Sequence, residues 1–379
     1  MRIATTILLF CVLGLSALGM VMLFSASTGR PEGNYLVMQP IWCGIGLVSC
    51  TVAAGIDYRW LKKSPWIPAV LMLVAVGLLV CVLVPGVGYK INGAKRWLRV
   101  GGFTMQPSEL AKVVLIIVLA YYGGRFQRHM ASFFRGMVVP GLIVSLVLGL
   151  VFLEPDVGSA VLLGCVSAVM LLVAGIRWRY FFPPVLIVLV ALGAFLWNNP
   201  MRSERIYSWW HLEETKMGKG LQAYQARVAL GSGGLTGVGL GDGRQKLGFV
   251  PEHHTDFIYS IVGEELGLVT TLLVLFAFAA ILWSGVYIAW HARDTFGLLL
   301  GTGISFLIAL QALINIGVVT GTLPNKGMSL PFISYGGSNM VVMLTCVGLL
   351  LNVARQSGNT ERVLSSVASQ DDLAAVPRA

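Results

Sequence analysis

Ten apolar runs dominate this sequence and leave few architectures open to it. They fall at roughly 4–24, 38–56, 65–85, 106–123, 136–153, 157–175, 180–197, 257–290, 296–319 and 332–354. Most approach the roughly 20 residues a helix needs to cross a hydrocarbon core of about 30 Å. Inside hydrocarbon every backbone N–H and C=O must be paired internally, and runs this long without period-two alternation exclude barrel strands. Only 12% of the residues are charged, against roughly 25% in soluble domains. The expectation is an all-α polytopic membrane protein, a bundle of about ten transmembrane helices. Residues 1–355 form the membrane domain, 198–255 is a large extracytoplasmic loop, and 356–379 reads as a disordered cytoplasmic tail because it is polar and mixed in charge.

Short loops set the orientation. Arg59, Lys62 and Lys63, then Arg125, Arg128 and Arg135, then Arg177 and Arg179 make three connections basic, which places them and both termini in the cytoplasm. Arg2 and the apolar run to Phe24 resemble a signal peptide, but the run exceeds the roughly 7–15 residues of a signal core and is kept as the first span. The net charge of +10 suits anionic lipid head groups or phosphate-bearing substrates. Basic residues form no continuous stripe, so nucleic acid is excluded as a partner. All six cysteines lie inside apolar runs without metal-ligand spacing and read as packing residues.

One short loop breaks the positive-inside rule. Segment 86–105 puts Lys90, Lys95, Arg96 and Arg99 outside with no acidic residue to balance them. Either this is tolerated topological noise or pairing with anionic lipid, or Lys95, Arg96 and Arg99, about one helical turn in extent, receive an anionic ligand. Glu109 and Lys112 are i,i+3 neighbours in a helix opened by Pro107; they read as a structural ion pair or as part of a site. Asp156, in the turn Glu154-Pro-Asp-Val-Gly, caps the next helix or lines a cavity. Between the last two runs, Lys326, Ser334 and neighbouring Pro and Gly suggest irregular backbone against a cavity. Seven of the thirteen residues in 231–243 are glycine, without a phosphate-loop fingerprint; the most they support is backbone close to a ligand, or a lid.

The densest chemistry lies in 248–267, where Glu252, His253, His254, Asp256, Glu264 and Glu265 border an apolar run. Ionisable groups at this border are costly and point to function. Adjacent histidines rarely aim at one ion, so no protein metal site and no tightly bound cofactor is expected; a Mg²⁺ or Mn²⁺ shared with substrate phosphates stays open. No serine or cysteine has the setting of a nucleophile. General-base catalysis remains, with a carboxylate taking a proton from a sugar hydroxyl while cations stabilise a phosphate leaving group. Asp256 is the candidate base, although a helix cap is the bland alternative; Ser260 and Glu264 follow it at helical spacing on one face.

Phe24-Ser-Ala-Ser, Asn92-Gly-Ala-Lys-Arg-Trp, Gln106-Pro-Ser-Glu-Leu-Ala-Lys, Glu154-Pro-Asp-Val-Gly, Pro251-Glu-His-His-Thr-Asp-Phe-Ile and Ile333-Ser-Tyr-Gly-Gly-Ser occur in this order. Together they resemble the SEDS family (shape, elongation, division and sporulation), over roughly residues 20–355. Gly241-Asp-Gly-Arg-Gln-Lys-Leu-Gly-Phe and Leu323-Pro-Asn-Lys-Gly are more similar to the division branch than to the elongation branch, while the sporulation branch shares many of these features. The resemblance implies a peptidoglycan glycosyltransferase of the bacterial plasma membrane that polymerises lipid II at the division septum. The partners it implies are the growing glycan strand, a class B penicillin-binding protein, other divisome proteins and membrane lipids. It assigns the essential aspartate to Asp256 and the glutamate–lysine pair to Glu109 and Lys112. Lys95, Arg96, Arg99, Asp156, Glu264, Lys326 and Ser334 complete the expected substrate site. A flippase or a non-enzymatic scaffold would suit the same bundle. Ser159, Asn339 and His253 depart from the family's usual residues.

Overall fold

The computed structural model of the chain describes residues 1–27, 35–91, 94–100, 103–218, 220–247 and 255–374. Asn92, Gly93, Glu252, His253 and His254, all singled out in the sequence, lie outside the described residues. The helices are α1 (Arg2–Ser27), α2 (Tyr35–Gly55), α3 (Arg59–Lys63), α4 (Trp66–Leu83), α5 (Pro107–Arg125), α6 (Val139–Leu153), α7 (Val157–Val173), α8 (Trp178–Asn198), α9 (Pro200–Trp210), α10 (Leu212–Thr215), α11 (Leu221–Ser232), α12 (Ile258–Trp290), α13 (Thr295–Thr320) and α14 (Gly337–Ala374). Among the described residues nine helical stretches are long and apolar enough to cross a membrane, and α7, at 17 residues, is a tenth apolar helix. Each apolar run of the sequence falls on one of them, and the expected helical bundle is what forms.

Helices α5 and α13 occupy its interior. Leu300, Ile304, Leu307 and Ile308 of α13 are fully buried, with α5, α7 and α12 packed around them, while α2 runs along α14. At the periphery, α8 buries only Phe181 of its 21 residues, and Leu186, Ile187, Val188, Leu189 and Val190 are exposed. Apolar surface on this scale is stable only against hydrocarbon. At the end bearing α3, Lys62 and the Tyr58 hydroxyl meet Asp294, whose carboxylate also caps α13 through the Gly297 N–H.

Two elements differ from the sequence reading. Lys95, Arg96 and Arg99 do not form a helical turn: they lie on β2 (Ala94–Val100), the middle strand between β1 (Tyr89–Ile91) and β3 (Phe103–Met105) in an antiparallel sheet. The segment pairs Tyr89 with Trp97 and Leu98 with Met105, and bulky aromatic and aliphatic residues favour a pleated surface over a short isolated helix. Strand alternation turns Arg96 to the opposite face from Lys95 and Arg99.

Helix α12 is broken at Gly267, where φ is +76°. Such a break orphans backbone groups on both sides, and the glycine-rich segment supplies their partners. Val238 and Gly239 N–H groups donate to the Glu264 and Glu265 carbonyls at 2.9 and 3.1 Å, and Leu268 N–H donates to the Gly234 carbonyl at 2.9 Å. A Cβ at Gly233 or Gly237 would collide with the α12 backbone. These glycines therefore splint a helix; a lid is not what they form. At the C-terminal end, α14 continues as helix to Ala374.

Candidate functional site

Asp256 sits in the turn 255–257 just before α12, and the N-cap is Phe257, so Asp256 does not take the capping position. Its carboxylate lies against Gly327, where any Cβ would collide with Oδ2. Asn315 of α13, 1% exposed, donates from Nδ2 to the Asp256 carbonyl at 2.8 Å and to the Met328 carbonyl at 2.5 Å. One buried amide thus ties the aspartate backbone to the loop that follows Lys326. This gives Asp256 a fixed position at the lip of the bundle.

Beside it, Lys326 crosses the start of α7. A Cβ on Gly158 would occupy the space of the Lys326 side-chain end. Its Nζ is 3.7 Å from Asp156 Oδ1, and Arg96 Nη1 is 4.0 Å from Asp156 Oδ2. Arg96 is held more firmly by the turn itself, donating to the Glu154 carbonyl at 3.0 Å and the Pro155 carbonyl at 2.7 Å. Asp156 caps α7 through Ser159 N–H and also accepts from the Ser159 hydroxyl at 2.8 Å. Of the two sequence alternatives for Asp156, the helix cap is therefore the one realised.

The electrostatics of this cluster are lopsided. Burial pushes the Asp156 carboxyl up, but the Lys326 and Arg96 charges and the Ser159 hydrogen bonds outweigh it and hold the group below its ordinary value. Glu154 is completely buried, and neither carboxyl oxygen has a hydrogen-bond partner among the described residues. Burial, then repulsion from Asp156, pushes it up to about 8 against the pull of Arg96, so it is a neutral acid at pH 7. Burial also pulls Lys326 down to about 8; Asp156 opposes that, while Arg96, Arg202 and Arg205 add to it. With Glu154 neutral, the group keeps a net positive charge, and the residue after Lys326, Gly327, lies against Asp256.

Deeper in the bundle, Lys112 Nζ donates to Glu109 Oε1 at 2.7 Å and to Gln311 Oε1 at 3.1 Å. Gln311 in turn donates to the Ser329 carbonyl and to Asn339 Oδ1, both at 3.0 Å. Lys112 is 1% exposed, and the second Glu109 oxygen has no partner among the described residues. Through Gln311 the pair supports the Ser329 segment.

Five predicted residues have their observed surroundings elsewhere. Glu264 is buried and accepts from the backbone N–H groups of Arg244 and Gln245 at 2.8 and 3.2 Å, and Ser260 donates to the Phe257 carbonyl. Ser334 accepts from Leu330 N–H at 2.7 Å and so closes its own turn. Lys95 is exposed, and the exposed Arg99 lies 6.0 Å from the Tyr89 ring. Two features escaped the sequence reading. Lys246 and Glu265 form a buried ion pair at 2.7 Å, joined by Ser25 of α1, which donates to Glu265 Oε2 at 2.6 Å. Arg202 and Arg205 of α9 bear on Lys326, which only tertiary packing reveals. Among the described residues no group of three or more His, Cys, Asp or Glu side chains is placed to hold a metal ion.

Comparison with known proteins shows the family and the fold. The family model described as "Cell cycle protein", covering FtsW, RodA and SpoVE, matches residues 5–359. The probable peptidoglycan glycosyltransferase FtsW of Geobacter metallireducens is 40% identical over 360 residues, covering 93% of this chain and 95% of that protein. Stage V sporulation protein E of Bacillus subtilis is 39% identical over 358 residues, covering 93% and 97%. Among solved structures, a chain from a peptidoglycan synthase complex, described as coordinating polymerization and crosslinking, superposes with a TM-score of 0.78 at 28% identity, covering 92% of this chain and 97% of that one.

Proposed function

The chain belongs to the cell cycle protein family of FtsW, RodA and SpoVE, and on that premise we propose that it is a peptidoglycan glycosyltransferase that polymerises lipid II. Asp256 takes the proton from the 4-hydroxyl of the acceptor GlcNAc, the freed oxygen attacks the anomeric carbon of the donor with inversion, and undecaprenyl diphosphate leaves. Arg96 and Lys326 stabilise the departing diphosphate. Any Mg²⁺ or Mn²⁺ in the reaction would travel with that diphosphate. The observation that carries the proposal is the packing of the Asp256 carboxylate on Gly327, one residue from a lysine set in a net-positive cluster. The synthase complex supports a transpeptidase partner, and the resemblance of 241–249 and 323–327 to the division branch supports a septal role.

The test is reconstitution with fluorescent lipid II. Muramidase-sensitive polymer is the expected product; lipid II that merely crosses the bilayer, unpolymerised, would mean a flippase instead.

A pH dependence follows. The Lys326 value of about 8 lies below that of an ordinary lysine, so the charge is present below it and lost above it. The donor efficiency kcat/KM reports groups of the free enzyme. It should fall above about pH 8 in wild type, by up to about tenfold per pH unit. Lys326→Arg should fall less steeply, because a guanidinium does not lose its proton there and only Glu154, raised to about 8, still adds negative charge. A fall of equal steepness in Lys326→Arg would move the titration to another group.

A further inference from the structure

A cavity of about 510 Å³ opens beside α9 and α10, lined by Trp209, Trp210, Glu213, Glu214, Arg227 and Gly321 among others. Its walls are built. Trp209 Nε1 and Arg227 Nη2 both donate to the Gly321 carbonyl, at 2.8 and 3.0 Å, which fixes the indole and the guanidinium against the C-terminal end of α13. Trp210 meets Trp209 edge-on at 5.6 Å and is 74% exposed, so one indole face is free to stack. Glu214 accepts from the Tyr207 hydroxyl at 3.2 Å, and the Glu213 side chain is 78% exposed. A second crevice shares Trp209, Leu212, Arg227 and Gly321 with the cavity and continues to Leu323 and Asn325. Asn325 precedes Lys326, and Gly327 touches Asp256. The cavity therefore borders the 321–327 segment, which reaches Asp256 at Gly327.

We propose that this cavity binds the nascent glycan strand, a β-linked chain of N-acetylated amino sugars, a reading that rests on the polymerase function above. Each such ring offers an apolar C–H face to an indole, and hydroxyl and acetamido N–H donors to carboxylates, which are acceptor-only when ionised. Trp210 supplies the stacking face, and Glu213 and Glu214 supply the acceptors. The volume lies within the roughly 300–1,000 Å³ typical of ligand pockets. Interfacial tryptophans also anchor proteins to membranes. Here the indoles share a cavity with two carboxylates and a backbone carbonyl, a lining that acyl chains would desolvate at a cost. Holding the strand here keeps its growing end near Asp256 between additions.

The experiment uses the full chain in phosphatidylcholine nanodiscs, with N-acetylglucosamine tetrasaccharide as the soluble probe and lipid II as substrate. Wild type should bind the tetrasaccharide saturably by tryptophan emission. Trp210→Ala should weaken binding at least fivefold and Glu213→Gln severalfold, with elution and melting unchanged because both side chains are exposed. Both variants should make strands several times shorter, while the first coupling of two lipid II molecules stays within twofold of wild type. Wild type that ignores the tetrasaccharide, or strands of unaltered length from Trp210→Ala, would overturn the proposal. So would quenching of Trp210 by brominated acyl chains, measured against Trp210→Phe, since it would put the indole in the membrane. Failure of the polymerase reading is distinct: wild type would then make no polymer at all, and the tetrasaccharide titration would still decide this site.

Discussion

Asp256→Asn is expected to lower strand synthesis by about 10³-fold, within the roughly 10²–10⁴ that a positioned base contributes. The substitution is nearly isosteric. The hydrogen bond that fixes this residue is donated by Asn315 to its backbone carbonyl, which the change leaves in place. The amide also fits beside Gly327, where the missing Cβ leaves room for the head group. What is lost is the capacity to take a proton. Lipid II binding should survive, because the cations that face the diphosphate are untouched. Wild-type expression, melting and lipid II affinity with a vanished rate is the expected pattern. A scaffold for a crosslinking enzyme predicts instead that Asp256→Asn complements a deletion, and undiminished polymer from it would remove Asp256 as the base.

Lys112→Met should cost about 3–5 kcal/mol of stability, the range for removing one partner of a buried ion pair. Glu109 already has one oxygen without a partner among the described residues, and the other depends on Lys112. Deleting the ammonium also frees Gln311, whose amide holds the Ser329 carbonyl and Asn339. The damage should therefore spread from α5 to the loop that carries Lys326. Adding Glu109→Gln should recover more than half of the loss, since a neutral amide is far cheaper to bury than an unpaired carboxylate. Thermal unfolding of the two variants in detergent measures both quantities. A double variant no more stable than Lys112→Met would show that the pair acts through packing alone.

The bundle was legible in the sequence because hydrocarbon admits so few backbone solutions. Each of the ten apolar runs became a helix, and the costly charges near Asp256 and Asp156 do gather at one end. The sheet was harder to see. β2 is seven residues long, and the basic residues inside it mask its alternation. Helical spacing grouped Glu264 with Asp256, yet α12 begins only at Ile258 and breaks at Gly267, and Glu264 serves the backbone at Arg244 and Gln245. The signal for that break was available as a glycine-rich segment without any phosphate-loop pattern. The Ser25–Lys246–Glu265 cluster was beyond reach, because it joins α1 to residues more than 200 positions away. Glu154 illustrates a different gap: its neighbours in sequence suggest a turn, whereas its protonation is set by burial and by Asp156 in three dimensions.

The central claim is that one site holds the base and the diphosphate cations together. Its most direct test is the structure of Asp256→Asn with lipid II bound. The diphosphate should lie against Arg96 and Lys326, with a sugar hydroxyl within about 2.6–3.2 Å of the residue 256 side chain. A diphosphate bound elsewhere, with no sugar near position 256, would contradict the account.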